Sequence, residues 1–277
     1  MKMKRTPYLT NKDLLKEIAR SKNTFCSFLL PEDQVYDLIL PSLSKINQRT
    51  LAEAKRARAD RLAKQAWEAS TAAGIKSKLD SHAVDWHKIQ KTDVVFRITT
   101  WDHIPLAPGR KKTPKSSADH HVKVNFPPFQ HYRYDENDNL ICCAKSHWEG
   151  GITNGWFNKD HGKMTSNLAR MFIKLCERYG SKGNWRGYTY NDEMRSQALL
   201  QLSQVGLQFD ESKSNNPFAY YTATITNSFT RVLNVEKRNQ HLRDDILEAN
   251  GLNPSYTRQT DNAIRSGGGS GGVDFSE

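Results

Sequence analysis

The sequence predicts a mainly α-helical protein: a helical bundle preceded by an N-terminal helical extension and a small β-containing insertion. Three observations carry this. Between Lys163 and about Asn250, apolar side chains recur at helical spacing in three successive stretches joined by short links. Residues 49–78 are rich in Ala, Lys and Arg, with few large apolar side chains, a polar helix that need not pack on anything. Residues 79–157 change character and carry short apolar runs with turn residues between them, the pattern of strands. The implied divisions are a basic helical extension (1–78), a β-rich insertion with a mobile loop (79–157), a helical domain (158–250) and a flexible tail (251–277).

In chain order, Asn11 is positioned to cap a helix with Leu14, Leu15 and Ile18 on one face, and a loop and a second short helix complete residues 11–40. Val94–Trp101 reads as a strand, and a Pro/Lys/Ser stretch at 105–118 as a loop. His121–Phe126 alternates, and Tyr132–Tyr134 with Leu140–Cys143 flank Asp135–Asn139 as a β-hairpin. The first bundle helix carries Leu168, Met171, Phe172, Leu175 and Tyr179, with Thr165 or Ser166 to cap it and Gly180 to end it. The second follows Thr189-x-x-Asp192, a capping-box spacing with Asp for Glu, and its stripe is Met194, Ala198, Leu202, Val205 and Phe209. The third opens at Asn216-Pro217, with Asn as cap and Pro at the first helical position. Its stripe is Phe218, Tyr221, Thr222, Ile225, Phe229 and Val232.

The chain has 277 residues and a formal charge of +11. The excess is N-terminal: residues 1–150 hold 26 Lys and Arg against 17 Asp and Glu, whereas residues 151–277 hold 15 against 13. Such a balance points first to a polyanion, and among polyanions to nucleic acid. It marks Lys55, Arg56, Arg58, Arg61 and Lys64, and again Arg110, Lys111, Lys112 and Lys115, although a solvated helix face and a basic loop explain the same charges. No run of eighteen apolar residues spans a membrane, and the basic start lacks the apolar run of a secretory signal. The four cysteines form no disulfide framework, which suits a reducing compartment.

No phosphate-loop, dinucleotide or zinc-protease motif is present. His120, His121, His131, His147, Cys142 and Cys143 fall in the predicted sheet, yet the tandem pairs point to opposite faces of a strand, so ordinary surface or core roles are favoured over zinc. Asp192-Glu193 and Asp244-Asp245 read as helix-terminal and solvated charge. No catalytic constellation, cofactor or metal is expected. The third helix has a polar side of Tyr220, Thr224, Asn227, Arg231, Asn234 and Arg238, where aromatic, amide and guanidinium groups supply stacking, base-edge and phosphate contacts.

Phe209-Asp210, Asn216-Pro217-Phe218-Ala219-Tyr220-Tyr221-Thr222 and Asn227-Ser228-Phe229-Thr230-Arg231 together resemble region 2 of a sigma factor. More narrowly, the stretch resembles the late-transcription sigma factors of T-even-type phages, especially those of cyanobacterial phages. Asn158–Met164, Asn184–Tyr190 and Asp192–Leu202 support the likeness, which covers about residues 158–258. The resemblance implies a sigma region 2-like bundle in a non-enzymatic factor of the host bacterial cytoplasm. Such a factor binds host RNA polymerase core, directs it to an AT-rich -10-type promoter element and opens it. Core binding falls to Asp192, Glu193, Ser196, Gln197, Leu200 and Gln201. DNA binding falls to Trp185, Arg186, Tyr220, Tyr221, Thr224, Asn227, Ser228, Arg231, Lys237 and Arg238. Thr224 and Ile225 stand where primary sigma factors carry tandem tryptophans, which leaves strand opening to Tyr220, Tyr221 and Trp185 or to the polymerase. No sigma region 4 follows Asn250. Val273, Asp274 and Phe275, beyond a Ser266–Gly272 tether, resemble the motif by which these factors bind the phage sliding clamp, with a place left for a phage co-activator. The alternatives are a non-catalytic DNA- or RNA-binding protein and, further off, a metal-dependent nuclease built on the histidine-rich sheet.

Overall fold

Thr10, not Asn11, caps the first helix, α1 (Asn11–Asn23), in the computed structural model, which describes residues 9–75, 77–106, 108–112 and 124–267. Its hydroxyl accepts the Asp13 N–H at 3.2 Å and the Asp13 carboxylate accepts the Thr10 N–H at 3.1 Å, a reciprocal capping box. Leu14 and Ile18 are fully buried on its inner face.

The predicted second short helix is replaced by two three-residue strands, β1 (Cys26–Phe28) and β2 (Leu38–Leu40), around a 3-10 turn at Pro31–Gln34. Two buried carboxylates fix this path. Asp33 accepts the Leu30 N–H at 2.9 Å. The Asp37 carboxylate accepts the Val95 N–H at 2.9 Å while the Asp37 N–H donates to Val95 O at 2.8 Å.

Helix α2 (Gln48–Ala72), read from the sequence as a polar helix with no need of a packing partner, packs on the sheet. Ala54, Ala59 and Ala63 are buried, and Ala54 and Ala59 share a core with Leu40, Ile89, Val94, Phe96 and Ile98. Small side chains let the helix approach the sheet closely. Arg61 and Arg58 then pair with the fully buried Asp37 carboxylate at 2.7 and 3.5 Å, so part of the expected basic face is spent inside the fold.

The remaining strands are β3 (Phe96–Thr99), β4 (Phe129–Tyr134), β5 (Leu140–Ser146), β6 (Trp148–Glu149) and β7 (Trp156–Phe157). The main sheet has the order β1-β5-β4-β3-β2; β2 runs parallel to β3 and every other pair is antiparallel. β6 and β7 form a separate two-stranded sheet. The β4–β5 turn is closed by the Asp135 carboxylate, which accepts the N–H groups of Asn137 and Asn139 at 2.9 and 2.7 Å, with Asp138 in the left-handed region at φ 62°. The predicted strand at His121–Phe126 lies partly outside the described residues, and 124–126 are not in a strand.

The helices that follow are α3 (Ser166–Gly180), α4 (Asn191–Val205), α5 (Pro217–Ala249) and α6 (Tyr256–Gly267). The fold is therefore an α/β mixture, not the mainly α bundle that the sequence predicted. The five-stranded mixed sheet overturns that reading. Its two edge strands come from the segment read as a helical extension and pair with strands of the segment read as an insertion, so residues 1–157 do not separate at 78. Helix α6 is a second correction, because its residues were assigned to a flexible tail. Among the described residues no helix is long and apolar enough to cross a membrane.

The chain divides into two compact units: residues 1–174 with 202–221, and residues 175–201 with 222–277. In the first, α1 supplies one half of a buried ion pair. Lys22, 1% exposed, donates from Nζ to Phe209 O at 2.7 Å and to the Glu211 carboxylate at 2.6 Å. Near it, the buried Arg97 guanidinium lies over the rings of Phe129 and Tyr36 at 3.8 and 3.9 Å and donates from Nε to His131 Nε2 at 2.9 Å. With Nε2 accepting, His131 carries its proton on Nδ1, which donates to Asp33 O at 2.7 Å. In the second unit, Trp185, Tyr179 and Phe229 form an aromatic cluster, with Tyr179 and Trp185 meeting Phe229 edge-on at 5.2 and 5.3 Å.

Candidate nucleic-acid interface

Helix α5 positions the candidate site. Asn216 Oδ1 accepts the Ala219 N–H at 3.1 Å, Pro217 occupies the first turn, and Asn11 Oδ1 takes the Phe218 N–H at 3.1 Å. From there the helix runs 33 residues, about 50 Å at 1.5 Å per residue. Tyr221, Ile225, Phe229 and Val232 are buried along one face. Phe218, expected in that stripe, is 43% exposed because it precedes the first buried turn.

The opposite side carries the polar groups. In the second unit Asn227, Thr230, Arg231, Asn234, Val235 and Arg238 line one open groove along α5. Their spacing of three and four residues puts two amides, one hydroxyl and two guanidiniums in a single row. No carboxylate is among these lining residues. Amides and hydroxyls suit base edges and sugar, and guanidiniums suit phosphate. Asn227, Arg231 and Arg238 were expected at the site; Thr230 and Val235 were not, although they follow Asn227 and Arg231 at the same helical spacing.

Lys237 diverges from Arg238. It lines a second groove with Gln240, His241, Asp244, Thr257, Arg258, Asp261 and Asn262, on the α6 side of α5. Arg186 is exposed in the loop before α4.

Several expected DNA contacts are instead part of the interior. Trp185, 8% exposed, packs on Phe229 and on Tyr188, at 6.1 Å between ring centroids in the latter case. Tyr221 is fully buried in the first unit, meets Phe172 edge-on at 4.8 Å and donates its hydroxyl to Gly206 O at 2.7 Å. Burial drives its phenol well above the ordinary range. Ser228 is buried and donates to Thr224 O at 3.0 Å. None of the three presents a surface on which a base can stack or pair. Tyr220 is half-buried against Phe209, ring centroids 5.6 Å apart, with its hydroxyl 3.3 Å from Val205 O, and burial raises its pKa. Thr224 is half-buried.

The proposed core-binding face lies on α4, in the second unit. Met194 and Ala198 are fully buried, which turns Asp192, Glu193, Ser196 and Leu200 outward, Leu200 with 53% of its surface exposed. Gln197 and Gln201 flank them half-buried. Asp192 pairs with Arg195, and the Ser196 hydroxyl donates to Asp192 O at 2.9 Å. Thr189 does not form the expected capping box. The helix begins at Asn191, whose amide donates to Gly180 O and Trp185 O at 3.0 and 2.9 Å and ties the loop shut.

The histidines of the sheet have structural partners. His147 is fully buried and held neutral by burial and by the nearby His103 and His161, its pKa lowered to about 3. His131 is pushed well below the ordinary range by burial and by Arg97. The cysteines are free, and among the described residues no group of three His, Cys, Asp or Glu side chains is placed to hold a metal ion. His120 and His121 lie outside the described residues, as do Val273, Asp274 and Phe275. Compared with protein-family models, curated proteins and solved structures, the chain matches none.

Proposed function

We propose that this protein is a sigma-type specificity factor of phage late transcription, acting with host RNA polymerase core in the bacterial cytoplasm. The α5 groove is the observation that carries the reading. A row of Asn227, Thr230, Arg231, Asn234 and Arg238 with no carboxylate among its lining residues suits a polyanion with hydrogen-bonding edges, and Asn227 and Arg231 lie inside the segment that resembles sigma region 2. The exposed Asp192, Glu193, Ser196 and Leu200 of α4 supply a separate protein-docking face, with acidic groups at the helix N-terminus where the dipole favours them. Arg186 and Lys237 add phosphate contacts, and the Val273-Asp274-Phe275 segment adds recruitment by the sliding clamp.

Core polymerase incubated with this protein and a late-type promoter template tests the reading. Expected are a stable complex with core, and permanganate reactivity at the -10 region that falls at least tenfold in Asn227→Ala/Arg231→Ala. A complex with core but full opening in that variant means the groove is not the DNA face. No complex with core, alongside salt-sensitive DNA binding by the protein alone, makes it a plain nucleic-acid-binding protein.

A further inference from the structure

The hairpin of α5 and α6 is built with its polar groups inside and its large apolar groups outside. Where the helices meet, the contacts are hydrogen bonds and ion pairs. Asp244, 3% exposed, accepts the Ser255 N–H and hydroxyl at 2.8 and 2.7 Å. Arg258 pairs with Asp245 and Glu248 at 2.7 and 2.9 Å, and Gln240 donates to Ser255 Oγ at 3.2 Å. Val235, Leu242 and Ile246 are meanwhile 51%, 52% and 62% exposed. At about 100° per residue these three share one stripe of α5, about 180° around the helix from Asp244, and it extends about 16 Å over three turns. These contacts close the hairpin without Val235, Leu242 or Ile246, which leaves the stripe to be covered by something else.

The charges beside the stripe say what covers it. Arg238 borders it on one side and Arg243 on the other, while the nearest carboxylates are engaged: Asp245 with Arg258, and Glu236 with the Asn239 amide at 3.4 Å. A second copy docked on this face would bring arginine against arginine. We propose that the Val235–Leu242–Ile246 stripe is a docking surface for an amphipathic helix of a partner protein, one with an apolar spine and acidic flanks. Val235 and Arg238 also line the α5 groove, so the partner helix and nucleic acid would exclude one another there; the test itself needs neither DNA nor polymerase.

The probe is a fluorescein-labelled peptide of about three heptads with Leu at the two core positions and Glu at the flanking ones. Its binding to the full chain is followed by anisotropy. Saturable binding is expected, weakened at least tenfold by Leu242→Ser/Ile246→Ser and several-fold by Arg243→Glu. A peptide with Lys in place of Glu should bind the wild type weakly and gain affinity for Arg243→Glu. Both variants alter exposed side chains, and circular dichroism establishes that each keeps the wild-type helix content. Binding that is absent, that a scrambled peptide matches, or that survives the double serine substitution overturns the proposal. So does self-association in sedimentation equilibrium that the serine variant abolishes, which would assign the stripe to a second copy.

Discussion

Lys22→Met isolates the contribution of the buried ion pair to the first unit. Two charge-assisted hydrogen bonds disappear, to Phe209 O and to Glu211, each worth roughly 1.5–3 kcal/mol. Against that stands the several-kcal/mol cost of desolvating the ammonium, which the variant no longer bears. Removing one partner of a buried pair nevertheless leaves the other charge stranded, and such losses run about 3–5 kcal/mol. Arg97 still faces Glu211 and also lowers its pKa, so the expected loss is at the lower end, about 3 kcal/mol. Glu211→Gln alone should cost a similar amount, because Lys22 is then buried with only a carbonyl and an amide. Lys22→Met/Glu211→Gln should cost less than the two singles together, with a coupling of about 2 kcal/mol. Urea unfolding followed by circular dichroism and by tryptophan fluorescence measures all four corners, and m-values must stay constant for the comparison to hold. A loss under 1 kcal/mol for Lys22→Met, or strict additivity, would refute the reasoning. The acid limb provides an independent check. Burial raises the Glu211 pKa, but Lys22 and Arg97 outweigh it and hold the carboxyl below its usual value. Its contribution is therefore fully present above the unfolded pKa and is lost as pH falls through the lower folded value, so Glu211→Gln should remove part of the wild-type stability decline below about pH 4.5.

The neutral burial of His131 and His147 predicts a second acid-sensitive step: both folded pKa values are depressed. Stability should therefore be complete above pH 6.5 and decline as pH falls below it, by about 1.4 kcal/mol per pH unit for each proton the unfolded chain takes up; a flat profile from pH 7 to 5 would contradict it. Gly206→Ala places a Cβ 2.6 Å from the Phe172 ring and should lower stability by about 1–3 kcal/mol in chemical denaturation, through overpacking. Trp185→Ala should cost about 3–5 kcal/mol by opening a cavity against Phe229 and Tyr179. Trp185→Phe should recover most of that loss, and if instead the alanine variant keeps full stability, Trp185 is not core. Asn216→Ala should cost about 1 kcal/mol through loss of the α5 cap, read as a shift of the urea midpoint at constant m-value.

What the sequence revealed, and what it hid, follows from how each element is stabilised. The β4–β5 hairpin and the start of α5 were legible because their signals are local: the Asp135 turn and the Asn216-Pro217 cap form their bonds within a few residues. β1 and β2 were not, because three residues show no period and each strand exists only by pairing with distant chain, β1 with β5 and β2 with β3. That pairing is what turned an expected helical bundle into an α/β fold. Helix α2 looked unpartnered because its contact face is alanine, and its basic charge looked available because Asp37, the acid that takes up Arg58 and Arg61, sits more than twenty residues upstream of Arg58. The polar side of α5 was legible as a row, since helical spacing alone brings Asn227, Arg231, Asn234 and Arg238 into one groove. Composition could not sort the aromatic residues, because a tyrosine or tryptophan serves equally as a stacking platform or as a core side chain. Gly206 and Phe229 decide it here, by supplying the carbonyl that takes the Tyr221 hydroxyl and the ring that covers Trp185. The polar groups that α5 leaves exposed are therefore amides, a hydroxyl and guanidiniums, and the aromatic residues sit behind them, holding the loop before α4 and the first turn of α5 in place.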